Sequence, residues 1–185
     1  MNRLDPKASV LLLVDVQERL ASAMPQAAMD RLVANALVLL EGARLLGVPV
    51  VASEQYPKGL GPTVPALADK LRAMGVEPVD KLTFDALGEP RIARAVAERA
   101  PRAVVVAGME THICVFQTAR ELARRGFDVH VAADAVASRR EENRALGLGL
   151  CERAGAYATP TETVVFDWLG AAGSDAFKAI SKLVR

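Results

Sequence analysis

The stretch Val104-Val105-Val106-Ala107-Gly108-Met109-Glu110-Thr111-His112-Ile113-Cys114 sets a thiol where it could become a nucleophile. Its apolar run reads as a fully buried strand, Gly108 breaks it, and Thr111 suits a helix N-cap. Cys114 then falls in the first turn of a helix, where unpaired N–H groups and the helix dipole favour the reactive thiolate. Two charged residues sit at similarly abrupt strand ends: Asp15 after Leu11-Leu12-Leu13-Val14, and Lys81 after Val76-Glu77-Pro78-Val79-Asp80. A carboxylate between Val14 and Val16 must be paired, hydrogen-bonded or protonated, because burying it alone costs several kcal/mol. Such an acid can exchange a proton with a thiol, and an ammonium beside both keeps the acid ionised and favours the thiolate. Taken singly, each has a plainer reading: a packed cysteine, a loop-capping acid, a solvated lysine. Only the three together suggest a cysteine-hydrolase site. Cys151 lies late in a helix, at the negative end of the dipole, and is read as structural.

The elements that must position these groups alternate between strand and helix. Strands are predicted over residues 8–16, 48–53, 76–79, 103–107, 127–132 (ending at Asp134) and 156–158. Helices are predicted from Asp30 to Leu46, over 64–72, from Pro90 to Pro101, from Thr111 to Arg125 and over 139–153. Glu18 to Met29 reads as a loop with room for a short helical turn. Glu54–Thr63, which carries two glycines and two prolines within ten residues, reads as a loop too. Thr159-Pro160-Thr161-Glu162 is a capping box, which predicts a helix through Leu169. A last amphipathic helix carries Phe177, Ile180 and Val184. The pattern implies a mainly parallel sheet covered on both faces, whose ligands bind beyond the carboxyl ends of the strands. Asp15, Lys81 and Cys114 all lie there.

Composition narrows the classes. At 185 residues and 51% hydrophobic, the chain can bury a full core as one domain, residues 1–185. Its 23 basic and 22 acidic side chains leave a net charge of +1, which recommends neither nucleic acid nor an anionic membrane as a partner. No apolar run is long enough to span a bilayer, and the start lacks a signal-peptide pattern, so a cytoplasmic location is expected. Two cysteines make no disulfide framework.

Asp15-Val16-Gln17, Lys81-Leu82-Thr83-Phe84 and Gly108-Met109-Glu110-Thr111-His112-Ile113-Cys114 resemble, in order, the three motifs of the isochorismatase-like cysteine hydrolases. The resemblance spans essentially the whole chain. It implies a Rossmann-like three-layer α/β/α sandwich with a six-stranded, mainly parallel sheet, and an Asp15-Lys81-Cys114 triad. It also implies a non-proline cis peptide at Met109–Glu110 and an oxyanion hole formed by the N–H groups of Glu110 and Cys114. The chain departs from the metal-bearing nicotinamidases, which carry an Asp-x-His pair where this sequence has Ser53-Glu54-Gln55-Tyr56. No metal and no cofactor are therefore expected. It departs from isochorismatase itself, which lacks the cysteine, so amide or carbamoyl C–N cleavage is expected over vinyl-ether cleavage.

Gln17, Gln55, Phe84 and Thr111 are the candidates for a pocket that takes a small-molecule substrate. A Cys–His dyad with His112 is disfavoured, since residues two apart on a helix point about 200° apart. His112 is given a pocket-wall or hydrogen-bonding role, His130 a strand position, and Asp134 and Arg139 a structural ion pair. The apolar C-terminal helices, with Trp168 and Phe177, are read either as a homo-oligomer contact or as core packing. Two other classes stay open. A non-catalytic scaffold of the same fold predicts slow Cys114 labelling and no turnover. A dinucleotide-binding oxidoreductase would need a Gly-x-Gly-x-x-Gly after the first strand, and Asp15–Leu20 holds no glycine.

Overall fold

In a computed structural model describing residues 2–184, six strands form one parallel sheet. The strands are β1 (Ser9–Val14), β2 (Val50–Gln55), β3 (Val79–Lys81), β4 (Ala103–Met109), β5 (Asp128–Ala137) and β6 (Tyr157–Thr159), in spatial order β3-β2-β1-β4-β5-β6. Parallel strands buried on both faces need apolar side chains at every position, and β1 and β4 are buried throughout. Their residues split by pleat. Leu11, Leu13, Val105 and Ala107 face one side, where Leu32, Leu39, Leu40, Val164, Trp168 and Ile180 cover them. Val10, Leu12, Val104, Val106, Val129 and Val131 face the other, against Ile92, Val96, Ala119, Leu122 and Cys151. The first cover comes from α2 (Gln26–Leu46), α8 (Thr161–Leu169) and α9 (Asp175–Leu183); the second comes from α5 (Pro90–Ala97), α6 (Phe116–Arg124) and α7 (Glu141–Arg153). This is the three-layer α/β/α sandwich. No helix among the described residues is long and apolar enough to cross a membrane.

Several boundaries differ from the sequence reading, for local reasons. Helix α2 starts at Gln26 rather than Asp30, because Pro25 stands at its N-cap and its carbonyl accepts from Ala28 and Met29. The segment before it holds one short helix, α1 (Glu18–Ala21), and the glycine-rich loop holds α3 (Pro57–Leu60); α4 (Pro65–Ala73) follows. Strand β5 runs on to Ala137: after a register shift at Val106/Gly108 its pairing with β4 resumes at Gly108–Val136 and Met109–Ala137. The capping box before α8 does not form. Thr159 Oγ1 meets His130 Nδ1 at 2.9 Å instead, and Asp134 Oδ1 accepts from the N–H and hydroxyl of Thr161 at 2.9 and 2.7 Å. Asp134 is thereby committed to α8, and its expected ion pair with Arg139 is absent.

The order reverses at β1, which is flanked by β2 on one side and β4 on the other. Open sheets offer their ligand crevice at that reversal. Gly108 makes the approach possible: its φ is +126°, and a Cβ there would lie 2.0 Å from the Val14 carbonyl oxygen. The ends of β1 and β4 therefore close together just where Asp15 and the Cys114 segment leave the sheet.

Candidate active site

Asp15 follows β1 in a left-handed conformation, φ +51°, unusual for a residue with a side chain but tolerated by aspartate. Its carboxylate is fully buried. Ser53, within β2 and in register with Val14, donates its hydroxyl to Oδ1 at 2.7 Å, and Lys81 donates to Oδ2 at 2.7 Å. Lys81 is the last residue of β3 rather than a residue beyond it. Two strand spacings, about 10 Å, separate β3 from β1, and the long lysine stem bridges them. Its ammonium also donates to Gln55 Oε1 at 2.6 Å and to the carbonyls of Thr83 and Phe84 at 3.0 and 3.3 Å. Every partner is an acceptor, which matches a side chain that only donates. Both side chains of the Lys81–Asp15 pair are wholly excluded from solvent.

Cys114 sits in a π-helical turn, Thr111–Val115, not in the first turn of a regular helix. Glu110, rather than Thr111, holds the N-cap position, with no side-chain cap. The Glu110 carbonyl accepts from Ile113 and Val115 at 3.0 and 3.2 Å and passes over the Cys114 N–H between them. The Met109–Glu110 peptide is cis. The thiol lies within electrostatic reach of the buried pair, but its resting ionisation differs from the sequence expectation. Its pKa is pushed up to about 12, first by burial and then by the Asp15 charge, with Lys81 pulling the other way and losing. The resting group is a neutral thiol. Cys151, fully buried, is pushed up to about 12 by burial as well.

The other expected pocket residues take different places. Gln17 is buried; its amide donates to the Gln55 and Gly61 carbonyls at 3.0 and 2.7 Å and accepts from the Gln55 N–H at 2.7 Å. It thus braces the loop that follows β2. Gln55 holds Lys81 and, through Nε2, the Leu82 carbonyl at 2.9 Å. Thr111 is buried with its hydroxyl unpartnered, while Phe84 is exposed and contributes its carbonyl to Lys81. Glu110 accepts from the Arg139 backbone N–H at 2.9 Å and from its Nε at 3.1 Å, taking the arginine expected to pair with Asp134. A cleft of about 390 Å³ opens along the β3 edge, walled by Tyr56, Pro57, Lys58, Leu82 and Thr83; Cys114 lies outside its wall. Among the described residues, no three His, Cys, Asp or Glu side chains are grouped to hold a metal ion.

Ser53 escaped the sequence reading. The signal for it was a polar residue closing the apolar run Val50-Val51-Ala52, in parallel register with Val14.

A model of the isochorismatase domain matches residues 9–163. The chain belongs to the isochorismatase family. It is 38% identical to isochorismatase domain-containing protein 2 of Danio rerio, over all of this chain and 90% of that protein. Within the family, the solved structure described as MAR1 ribonuclease from Caenorhabditis elegans superposes with a TM-score of 0.90 at 34% identity, covering 99% of this chain and 92% of that one. The Escherichia coli YcaC gene product, described as an octameric hydrolase of unknown specificity, gives a TM-score of 0.84 at 25% identity, over 92% and 84% of the two chains. The isochorismatase fold and a general hydrolase function follow for this chain.

Proposed function

We propose that this isochorismatase-family hydrolase cleaves the C–N bond of a small amide or carbamoyl compound through a thioester on Cys114. The observation that supports this most is the solvent-free Lys81–Asp15 pair beside a neutral thiol. Losing the thiol proton to water would leave an unbalanced charge in a buried site, which is why the thiol pKa is high. Passing it to Asp15 does not: ammonium, carboxylate and thiol become ammonium, carboxylic acid and thiolate, and the net charge of the cluster is unchanged. Lys81 then faces the sulfur anion in place of the carboxylate.

The sulfur attacks the carbonyl carbon, and the oxyanion accepts hydrogen bonds from the N–H groups of Glu110 and Cys114. Asp15 returns its proton to the leaving amine as the C–N bond breaks, leaving the thioester. A water molecule gives a proton to Asp15 and attacks the thioester; the acid leaves and the proton goes back to sulfur. One oxyanion donor is typically worth about 3–4 kcal/mol, so the backbone of the turn matters nearly as much as the side chains. Gln55 and the carbonyls of Thr83 and Phe84 hold the ammonium in line; Thr111, with its unpartnered buried hydroxyl, is a further donor to substrate. Homo-oligomerisation belongs to the same proposal, supported by the octameric YcaC relative.

RNA cleavage, suggested by the name of the C. elegans relative, calls for cations facing backbone phosphates. The Lys81 ammonium is instead turned inward on Asp15 and Gln55. An activity screen of small amides and carbamoyl compounds, with an oligoribonucleotide alongside, separates the readings. Turnover of an amide that falls at least about a thousandfold in Cys114→Ala is expected. Amide turnover that survives the substitution, or cleavage confined to RNA, would overturn the proposal.

A further inference from the structure

The turn that carries Cys114 is gripped from outside the sheet by one stretch, Ser138 to Gly147, which includes the start of α7. Three contacts make the grip. Glu110, at the head of the turn, is buried with its carboxylate on the Arg139 N–H and Nε. His112 Nδ1 lies 3.0 Å from the buried Ser138 hydroxyl, and its Nε2 lies 3.5 Å from Asn143 Nδ2. Gly147 lets α7 rest directly on the turn's backbone: a Cβ there would lie 2.8 Å from the His112 nitrogen and 2.9 Å from both His112 Cα and Thr111 C. The ring tautomer decides which partner donates in each contact. The Asn143 contact is long, and the Ser138 bond carries the orientation.

We infer that His112 and Gly147 are positioning residues, which set the pitch of the π turn so that the Cys114 sulfur and the N–H groups of Glu110 and Cys114 face one point. The inference rests on reading Cys114 as the nucleophile. A π turn lacks the regular ladder that would hold its shape from within. Here the Glu110 carbonyl is shared between Ile113 and Val115 while the Cys114 N–H is passed over. External contacts therefore decide where that N–H and the sulfur point. Contacts on the His112 ring, on the backbone at 111–112 and on the Glu110 carboxylate fix the turn on its outer side, as Gly108 fixes the strand end on the inner side. The mutual tilt of sulfur and donors is the quantity that reaction geometry is most sensitive to, a shift of about 1 Å being able to cost about a hundredfold.

The test compares His112→Phe, which keeps a ring and removes both nitrogens, with His112→Asn, whose amide can replace Nδ1, and with Gly147→Ala. Three readouts are taken on each full-length variant: the thermal midpoint, kcat and KM on an amide the wild type turns over, and the rate of Cys114 alkylation by iodoacetamide at fixed pH. His112→Phe and Gly147→Ala are expected to lose between about tenfold and a hundredfold in kcat with KM little changed, and to alkylate more slowly. His112→Asn should recover most of both rates. A merely structural role would lower the thermal midpoint and leave kcat and alkylation of the folded protein at wild-type values, and that result overturns the inference. If Gly147→Ala fails to fold, the Phe and Asn pair at His112 decides alone. A wild-type protein whose turnover survives Cys114→Ala would instead remove the nucleophile reading, and the inference with it.

Discussion

At the scale of single residues, the site is a problem of charge held out of water. An ionised carboxylate and an ammonium together bury at tolerable cost only because their remaining hydrogen-bonding positions are filled. Ser53 fills one on Asp15, and Gln55 with two carbonyls shares the two N–H groups that Lys81 has left. Replacing Ser53 by Ala leaves Oδ1 unpaired; a hydrogen bond to a charged group is worth about 1.5–3 kcal/mol, and urea unfolding should register a loss of that size. Because the freed carboxylate can also rotate away from the sulfur, kcat on an amide should fall about tenfold or more. A variant equal to wild type in both would show that Ser53 does not orient Asp15. The sequence made Asp15, Lys81 and Cys114 legible, since each interrupts or closes a strongly apolar run. It could not reveal the ionisation of Cys114. The dipole and ammonium argued for a thiolate, but burial and the Asp15 charge outweigh them, and both depend on distances that no spacing encodes.

At the scale of elements, what matters is how strand ends meet. The alternation of strands and helices was readable because parallel strands buried on both faces have continuous apolar runs, as in β1 and β4. The extent of β5 was not, since its second half pairs only after a register shift that depends on its neighbour. The failed capping box before α8 has the same origin. Long-range partners intervene at both residues: His130 engages the Thr159 hydroxyl that would have been the cap, and Asp134 accepts from the Thr161 N–H. Gly108 is the element-level hinge of the site, with a positive φ and no room for a Cβ beside Val14. Gly108→Ala should therefore cost about 4 kcal/mol or more, or abolish soluble expression, as measured by urea unfolding. A variant with wild-type stability would mean that β1 and β4 can separate freely, and that their closeness does not set the position of Asp15.

At the scale of the whole molecule, burial of ionisable groups sets limits on stability at both ends of the pH range. Both thiols are held protonated in the folded protein, at about 12 against an ordinary 9.0. Between those values the unfolded chain has given up protons that the folded one retains, so stability falls as pH rises above about 9. Each thiol accounts for at most about 4 kcal/mol of that fall. Cys151→Val, which removes one thiol without removing much volume, should flatten the alkaline limb of the urea-unfolding free energy; an unchanged limb would contradict the assignment. Burial lowers the His130 pKa below its usual 6.5. The unfolded state therefore takes up a proton first as pH drops below about 6.5, and stability declines on the acid side too.

The central claim is that the thiol proton goes to Asp15 and not to water, and the pH dependence of Cys114 alkylation tests it directly. Iodoacetamide labelling of Cys114, followed by intact mass and peptide mapping between about pH 6 and 9, reads how the thiolate arises. If Asp15 takes the proton, the wild-type rate is nearly independent of pH over that range, because the transfer is internal. Asp15→Asn then gives a rate that climbs with pH, about tenfold per unit while the pH stays below the thiol's pKa, because the proton can leave only to solvent. A wild-type rate that climbs just as steeply would contradict the account.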